Sequence, residues 1–213
     1  MAFLEWLIGG RTIVREGRTL FADPVFGPRV PIVPVSDDLF RLENEFDASR
    51  VFTVDADGAA ILTGAGVYAE RRPRWHVEVV RVPVMASVVL ILSAIVALVA
   101  WVAMARRGRP RRFWALRIVT ALAPLALFAP VVALSATPMS MWGRLNLATA
   151  LAFAGPLSLP ALALAMGALA VDARREGARR ALVAFTLTVA AALLIVSAYL
   201  WYWGVFGIRL WSY

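Results

Sequence analysis

The chain has 213 residues, 61% of them hydrophobic, and its 22 basic residues are all arginine. The absence of lysine excludes from this chain the P-loop phosphate binder and the Ser-x-x-Lys nucleophile, because arginine stays protonated, and the absence of cysteine excludes disulfides, zinc ribbons and thiol chemistry. The net charge of +8 divides unevenly, with ten arginines against twelve carboxylates in residues 1–81 and twelve against only Asp172 and Glu176 in residues 82–213, so the basic excess flanks apolar helices and no nucleic-acid partner is expected.

The expected fold is a membrane protein: a small antiparallel β domain over residues 1–81, then a four-helix transmembrane bundle over 82–213. In chain order, Arg11 to Val14 and Arg18 to Ala22 read as strands joined through Glu16-Gly17. Asp23-Pro24 and Gly27-Pro28 punctuate the chain before Arg29 to Val35, where Pro31 and Pro34 predict an edge or irregular strand. Leu39 to Leu42, Arg50 to Val54, Ala59 to Thr63 and Gly66 to Arg71 complete an expected antiparallel sheet or partial barrel. So short a segment buries only a modest core, so support from a neighbouring domain or the membrane is expected.

The candidate sites in this half read as structural. Asp55-Ala-Asp-Gly58 opens like a calcium loop, but that loop needs glycine at position six and glutamate at twelve. Counted from Asp55, glycine falls at four and Gly66 at twelve, so a β-turn is expected. His76, the sole histidine, lies between Trp75 and Val77 just before the first helix, with no carboxylate and nucleophile to form a triad. Glu43, Glu45 and Asp47 form an acidic cluster expected to be a solvated loop.

Four apolar runs are long enough to cross a bilayer, which takes about 20 helical residues. They lie at about 84–105, 116–137, 145–171 and 181–205. Pro124, Pro130, Pro156 and Pro160 could break helices around a binding site. Tolerated kinks are the favoured reading, because no ionisable residue accompanies them. Arg117 and Arg144 lie near helix ends and can snorkel, while Asn146 and Thr149 are the best polar pair within a span. The small residues Ala150, Ala154 and Gly155, and Ala161, Ala165 and Ala168, are expected to pack within the bundle. Tyr199, Trp201, Tyr202, Trp203 and Phe206 suit an interfacial belt.

Five arginines (Arg106, Arg107, Arg109, Arg111 and Arg112) follow the first helix, and Arg174, Arg175, Arg179 and Arg180 separate the third from the fourth. The connection between the second and third carries only Arg144, and the tail only Arg209. Both Arg-rich connections are therefore expected in the cytoplasm, with the amino-terminal domain and carboxyl terminus outside a multi-pass protein of the cytoplasmic membrane. Residues 1–10 lack the basic segment and cleavage site of a signal peptide, so an exported domain here predicts that the sequence is part of a longer product.

Three stretches carry a resemblance: Phe40-Arg-Leu-Glu-Asn-Glu-Phe46, Val51-Phe-Thr-Val-Asp-Ala-Asp-Gly58 and Gly66-Val-Tyr-Ala-Glu-Arg-Arg-Pro-Arg-Trp75. With Leu20-Phe-Ala-Asp-Pro-Val-Phe-Gly27 and Val30-Pro-Ile-Val-Pro-Val35, they resemble the β-rich carboxyl-terminal tail of β-lactamase-related, penicillin-binding-protein-like serine hydrolases. In some of these an aromatic-basic stretch then enters membrane helices. The resemblance implies a catalytic domain upstream or in trans, and an activity on cell-wall peptides, β-lactams or esters for the whole enzyme. The family's Ser-x-x-Lys cannot exist in a chain without lysine, so no catalytic, cofactor-binding or metal-binding residue is assigned and no cofactor is expected. The chain is expected to be the non-catalytic, membrane-anchoring part of such a hydrolase. The alternatives are a stand-alone membrane sensor or assembly subunit with an external binding domain, and a transport component built on the proline-containing helices.

Overall fold

The structure, a computed structural model, describes residues 11–17, 19–24, 27–46, 50–54, 56, 58, 60–64, 67–71, 73–106, 113–138, 141, 144 and 146–203. Asp47, Asp55, Asp57, Gly66, Phe206 and the connection 107–112 lie outside them. The chain divides into two compact units, Met1–Arg81 and Val82–Tyr213.

The first unit is an antiparallel seven-stranded sheet in sequential order: β1 (Arg11–Glu16), β2 (Thr19–Pro24), β3 (Val30–Pro34), β4 (Leu39–Leu42), β5 (Arg50–Val54), β6 (Ala60–Gly64) and β7 (Val67–Glu70). The β1–β2 hairpin closes Glu16 onto Thr19, and Gly17 takes the left-handed φ of 62° that a two-residue turn demands.

Of the expectation that Pro31 and Pro34 make an edge or irregular strand, the edge part was wrong: β3 lies inside the sheet, paired with both β2 and β4. Each proline sits where the ladder on its own side has run out. The β2–β3 ladder ends at Leu20↔Ile32, so Pro34 lies past it. The Pro31 carbonyl accepts from Glu43 N at 3.0 Å, one residue beyond β4. Neither missing N–H therefore removes a bond from the interior of a ladder.

Four helices follow, each long and apolar enough to cross a membrane: α1 (Arg74–Arg106), α2 (Trp114–Ser135), α3 (Leu147–Arg175) and α4 (Arg180–Tyr202). They pack around a shared core containing Ile91 of α1, Ala123 of α2, Leu159 and Met166 of α3, and Val189 and Leu193 of α4. Their outer faces remain apolar; on α1, Val89, Val96 and Val99 are 65%, 69% and 62% exposed. An aqueous surface would not tolerate such stripes on every helix, whereas hydrocarbon requires them.

Helix α1 begins ten residues before the apolar run that marks its span. Glu78 pairs with Arg81 and lies 3.7 Å from Arg74, supporting a polar first section that hydropathy does not register. His76 consequently belongs to the first turn of α1, exposed and stacked on Trp75 at 5.5 Å. Pro83 lies within this helix.

Helices α2 and α3 run unbroken through their prolines. The buried stripe of α3 includes Gly155, Leu159, Ala163, Met166, Ala170 and Ala173. Ala150, Ala154, Ala161, Ala165 and Ala168 are exposed, so of the small residues singled out on α3 only Gly155 is buried. An alanine-rich helix gives its periodicity little phase, and the larger Leu159 and Met166 mark the buried side. Helix α3 stops at Gly177, whose φ of 85° lets Gly177 N reach Arg174 O and Ala178 N reach Ala173 O, the paired bonds of a Schellman end.

Candidate functional site

Directly opposed residues share one face of a sheet. The register places Arg15 with Leu20, Leu20 with Ile32, Pro34 with Phe40, and Phe40 with Arg50, so all of these belong to one face. Ala22, Ile32 and Leu42 are its buried cluster. Beside them Arg15, Leu20, Ile32, Pro34 and Phe40 line an open groove of about 300 Å³. Apart from Arg15, whose Nε donates to the Gly17 carbonyl at 3.0 Å, the lining is apolar. Such a groove can receive an apolar segment of another chain or ligand, with one cation at its border.

The acidic cluster is not simply a solvated loop. Glu43 is exposed, but Glu45 accepts from Arg50 Nη2 at 2.5 Å and Nε at 3.3 Å, and from the Leu42 amide at 3.2 Å. Arg41 Nη1 donates to the Glu45 carbonyl at 2.9 Å. The Arg50 side chain is only 6% exposed and lies on the same face as the edge-to-face pair of Phe40 and Phe52, 5.0 Å apart. Arginine at the start of a hydrophobic strand five residues after a glutamate was the available sequence signal. The pair is a structural clamp, since the Glu45 carboxylate ties the Arg50 guanidinium to the Leu42 amide.

In the helical unit, Asn146 and Thr149 are brought together as the capping box of α3. Thr149 N donates to Asn146 Oδ1 and Asn146 N to Thr149 Oγ1, each at 3.0 Å. Their polar atoms serve the backbone of one helix end and do not form a path between helices. Arg144 is exposed in the segment before α3. The aromatic cluster divides: Trp201 and Tyr202 are exposed, as an interfacial belt requires, whereas Tyr199 is buried.

Arg117 is the more informative arginine. It lies three residues into α2, with its guanidinium 5.6 Å from the centre of the Trp101 ring on α1. Its Nε is buried without a hydrogen-bond partner, and no carboxylate among the described residues pairs with it. Arg117 lines a cavity of about 30 Å³ with Thr120 of α2, Ala94, Ala97 and Leu98 of α1, and Leu182, Phe185 and Thr186 of α4. Thr120 Oγ1 donates to the Leu116 carbonyl at 2.7 Å and lies 3.3 Å from Thr186 Oγ1. Just before α2, Phe113 holds a left-handed φ of 60°, rare for an aromatic residue. Its ring packs against the cluster of Leu116, Ala170, Ala173, Ala178 and Val183.

No protein-family model, curated protein or solved structure matches this chain.

Proposed function

We propose that the chain is the non-catalytic, membrane-anchoring and supporting carboxyl-terminal part of an exported, β-lactamase-related serine hydrolase. In this reading the four helices hold the protein in the cytoplasmic membrane with the Arg-rich connections inside, and the sheet lies outside beneath a catalytic domain supplied upstream or in trans. The carrying observation is the open apolar groove of about 300 Å³ on one face of the sheet, lined among the described residues by strand residues alone. A sheet stabilises itself by burying an apolar face against a second layer, and an open groove on such a face is a place where one docks. The resemblance of the Phe40–Phe46 and Gly66–Trp75 stretches supplies the class of that layer. The chain holds no Ser-x-x-Lys element of its own, since it has no lysine.

The same groove favours a second reading, a stand-alone sensor or assembly subunit whose external domain binds a partner. A transport component is less favoured, because Pro124, Pro130, Pro156 and Pro160 leave α2 and α3 continuous. Isolation of the protein from native membranes in mild detergent, after labelling with a fluorescent β-lactam or fluorophosphonate, separates these. The anchor reading predicts that a labelled serine hydrolase domain co-purifies, either covalently continuous with this chain or bound to it. Recovery of the intact assembly without any labelled polypeptide contradicts it.

A further inference from the structure

We infer that the corner formed by Arg117, Trp101 and the first turns of α4 is a headgroup site for an anionic phospholipid, with the lipid phosphate held by Arg117. This rests on the membrane-spanning reading and goes beyond it by assigning a particular lipid chemistry to a particular place.

A guanidinium nitrogen buried against apolar side chains is costly unless it is paired or hydrated. The Trp101 ring, at 5.6 Å, meets the guanidinium near the outer limit of a cation–π contact and leaves Nε without an acceptor. The neighbouring hydroxyls do not resolve this. Thr120 donates to the Leu116 carbonyl, so the hydrogen between Thr120 and Thr186 comes from Thr186. Neither hydroxyl accepts from Arg117 Nε, so this donor is left over in the corner and an anion would satisfy it.

Depth selects the anion. Arg117 lies three residues after the start of α2, Trp101 five before the end of α1, and Leu182 two after the start of α4. At about 1.5 Å per residue these positions fall within about 8 Å of the helix ends, which is headgroup depth in a bilayer. The helix ends here adjoin the two Arg-rich connections. Arg179, at the amino end of α4, makes no side-chain cap, so that end also offers the positive pole of a helix. Ala94, Ala97, Leu98 and Phe185 line the cavity beside Arg117 with apolar surface. A cation at this level with an apolar wall that runs deeper, to Ala94 about 18 Å before the end of α1, fits a phosphodiester carrying a hydrocarbon chain. Basic sites between helices on a cytoplasmic face recognise anionic lipids in this way.

The chemistry Arg117 recognises is a phosphate anion, which could come from a lipid or from solution, and the test separates the two. The full chain is purified in a neutral detergent, and its thermal midpoint is followed by tryptophan fluorescence with added phosphatidylglycerol, phosphatidylcholine or inorganic phosphate. Phosphatidylglycerol is expected to raise the midpoint by about 3 °C over phosphatidylcholine, as a saturating ligand of the native state does, and inorganic phosphate is expected to have no effect. Arg117→Gln should abolish the phosphatidylglycerol increment while leaving the phosphatidylcholine baseline. Arg117→Lys, which keeps the charge but loses the planar fork, should retain part of the increment. It serves as the readout if the glutamine variant does not fold. Equal stabilisation of the natural protein by both lipids would overturn the assignment, as would an undiminished increment in either variant. A full effect from inorganic phosphate would overturn the lipid as its source. A protein that proves monodisperse without detergent instead refutes the membrane reading beneath it.

Discussion

Alanine at position 155 is expected to destabilise the helical unit by about 2 kcal/mol, and leucine there by more, because overpacking a tight contact costs about 1–3 kcal/mol per intrusion. Gly155 is buried on α3 with nothing between its Cα and the Pro130 ring of α2. A Cβ at this position would overlap Pro130 Cγ and lie 3.1 Å from its Cβ and 3.4 Å from its Cδ. The obstructing atoms belong to a ring fixed to the backbone, so no rotamer change relieves them. In lipid the loss matters more than its size suggests, since close packing replaces the hydrophobic effect as the force between helices. Pro130→Ala removes the ring, and the double variant Gly155→Ala/Pro130→Ala should recover most of the loss. Unfolding of the natural protein, the two single variants and the double variant by titration from mild detergent into dodecyl sulfate, read by tryptophan fluorescence, gives the coupling. Additive effects of the two substitutions would show that this contact does not hold α2 and α3 together.

In the sheet, Glu45→Ala should cost about 2–3 kcal/mol of local stability, the range expected when a buried cation loses its hydrogen-bonded partner. Arg50 would retain its charge behind a side chain only 6% exposed, and its Nη1 is already buried without a partner. The carboxylate side is 30% exposed, which allows water to offset part of the loss and keeps the figure below that of a fully buried pair. Glu45→Gln/Arg50→Met removes both charges and should be less destabilising than Glu45→Ala alone. Hydrogen exchange on the full chain in detergent measures this at the amides of Leu42 and Phe52, on either side of the clamp. The former donates to Glu45 itself and the latter to the Asp38 carbonyl at 3.2 Å. Unchanged exchange in Glu45→Ala would reduce the pair to a surface contact.

These two contacts mark what the amino-acid order alone does not disclose. Strand positions are legible because Gly, Pro and Asp separate short β-branched runs, and helix positions because hydrocarbon demands long apolar runs. Both are local properties. The pairing of Gly155 with Pro130 is a tertiary match between two helices, and Gly155 sits in a run of similar small residues that gives no phase. Glu45 reads as part of an acidic cluster because a linear scan weighs Glu43 and Asp47, its neighbours in sequence, ahead of Arg50. The proline rule failed at β3 for a related reason: it counts missing donors without knowing where each ladder ends. Helix α1 was cut short because hydropathy measures lipid compatibility, while Arg74, Glu78 and Arg81 extend the helix by pairing along it.

Arg117 was visible in the sequence as a cation near a helix end, where snorkelling is the ordinary outcome. Its setting was not. Trp101, Thr120 and Thr186 come from three different helices, and their convergence depends on packing that no single segment encodes. Among the described residues, the open groove on the sheet was likewise unreadable before the register placed Arg15, Leu20, Ile32 and Phe40 on one face.

Helices this long and apolar call for lipid around them, and consecutive connections then lie on opposite sides of it. The cysteine-free sequence makes a direct test straightforward. Single cysteines are introduced as Arg109→Cys and Ser140→Cys, on either side of α2, and cells are treated with a membrane-impermeant maleimide. Labelling of position 140 in intact cells, with position 109 labelled only after permeabilisation, is the predicted result. Equal labelling of both positions in intact cells would contradict it.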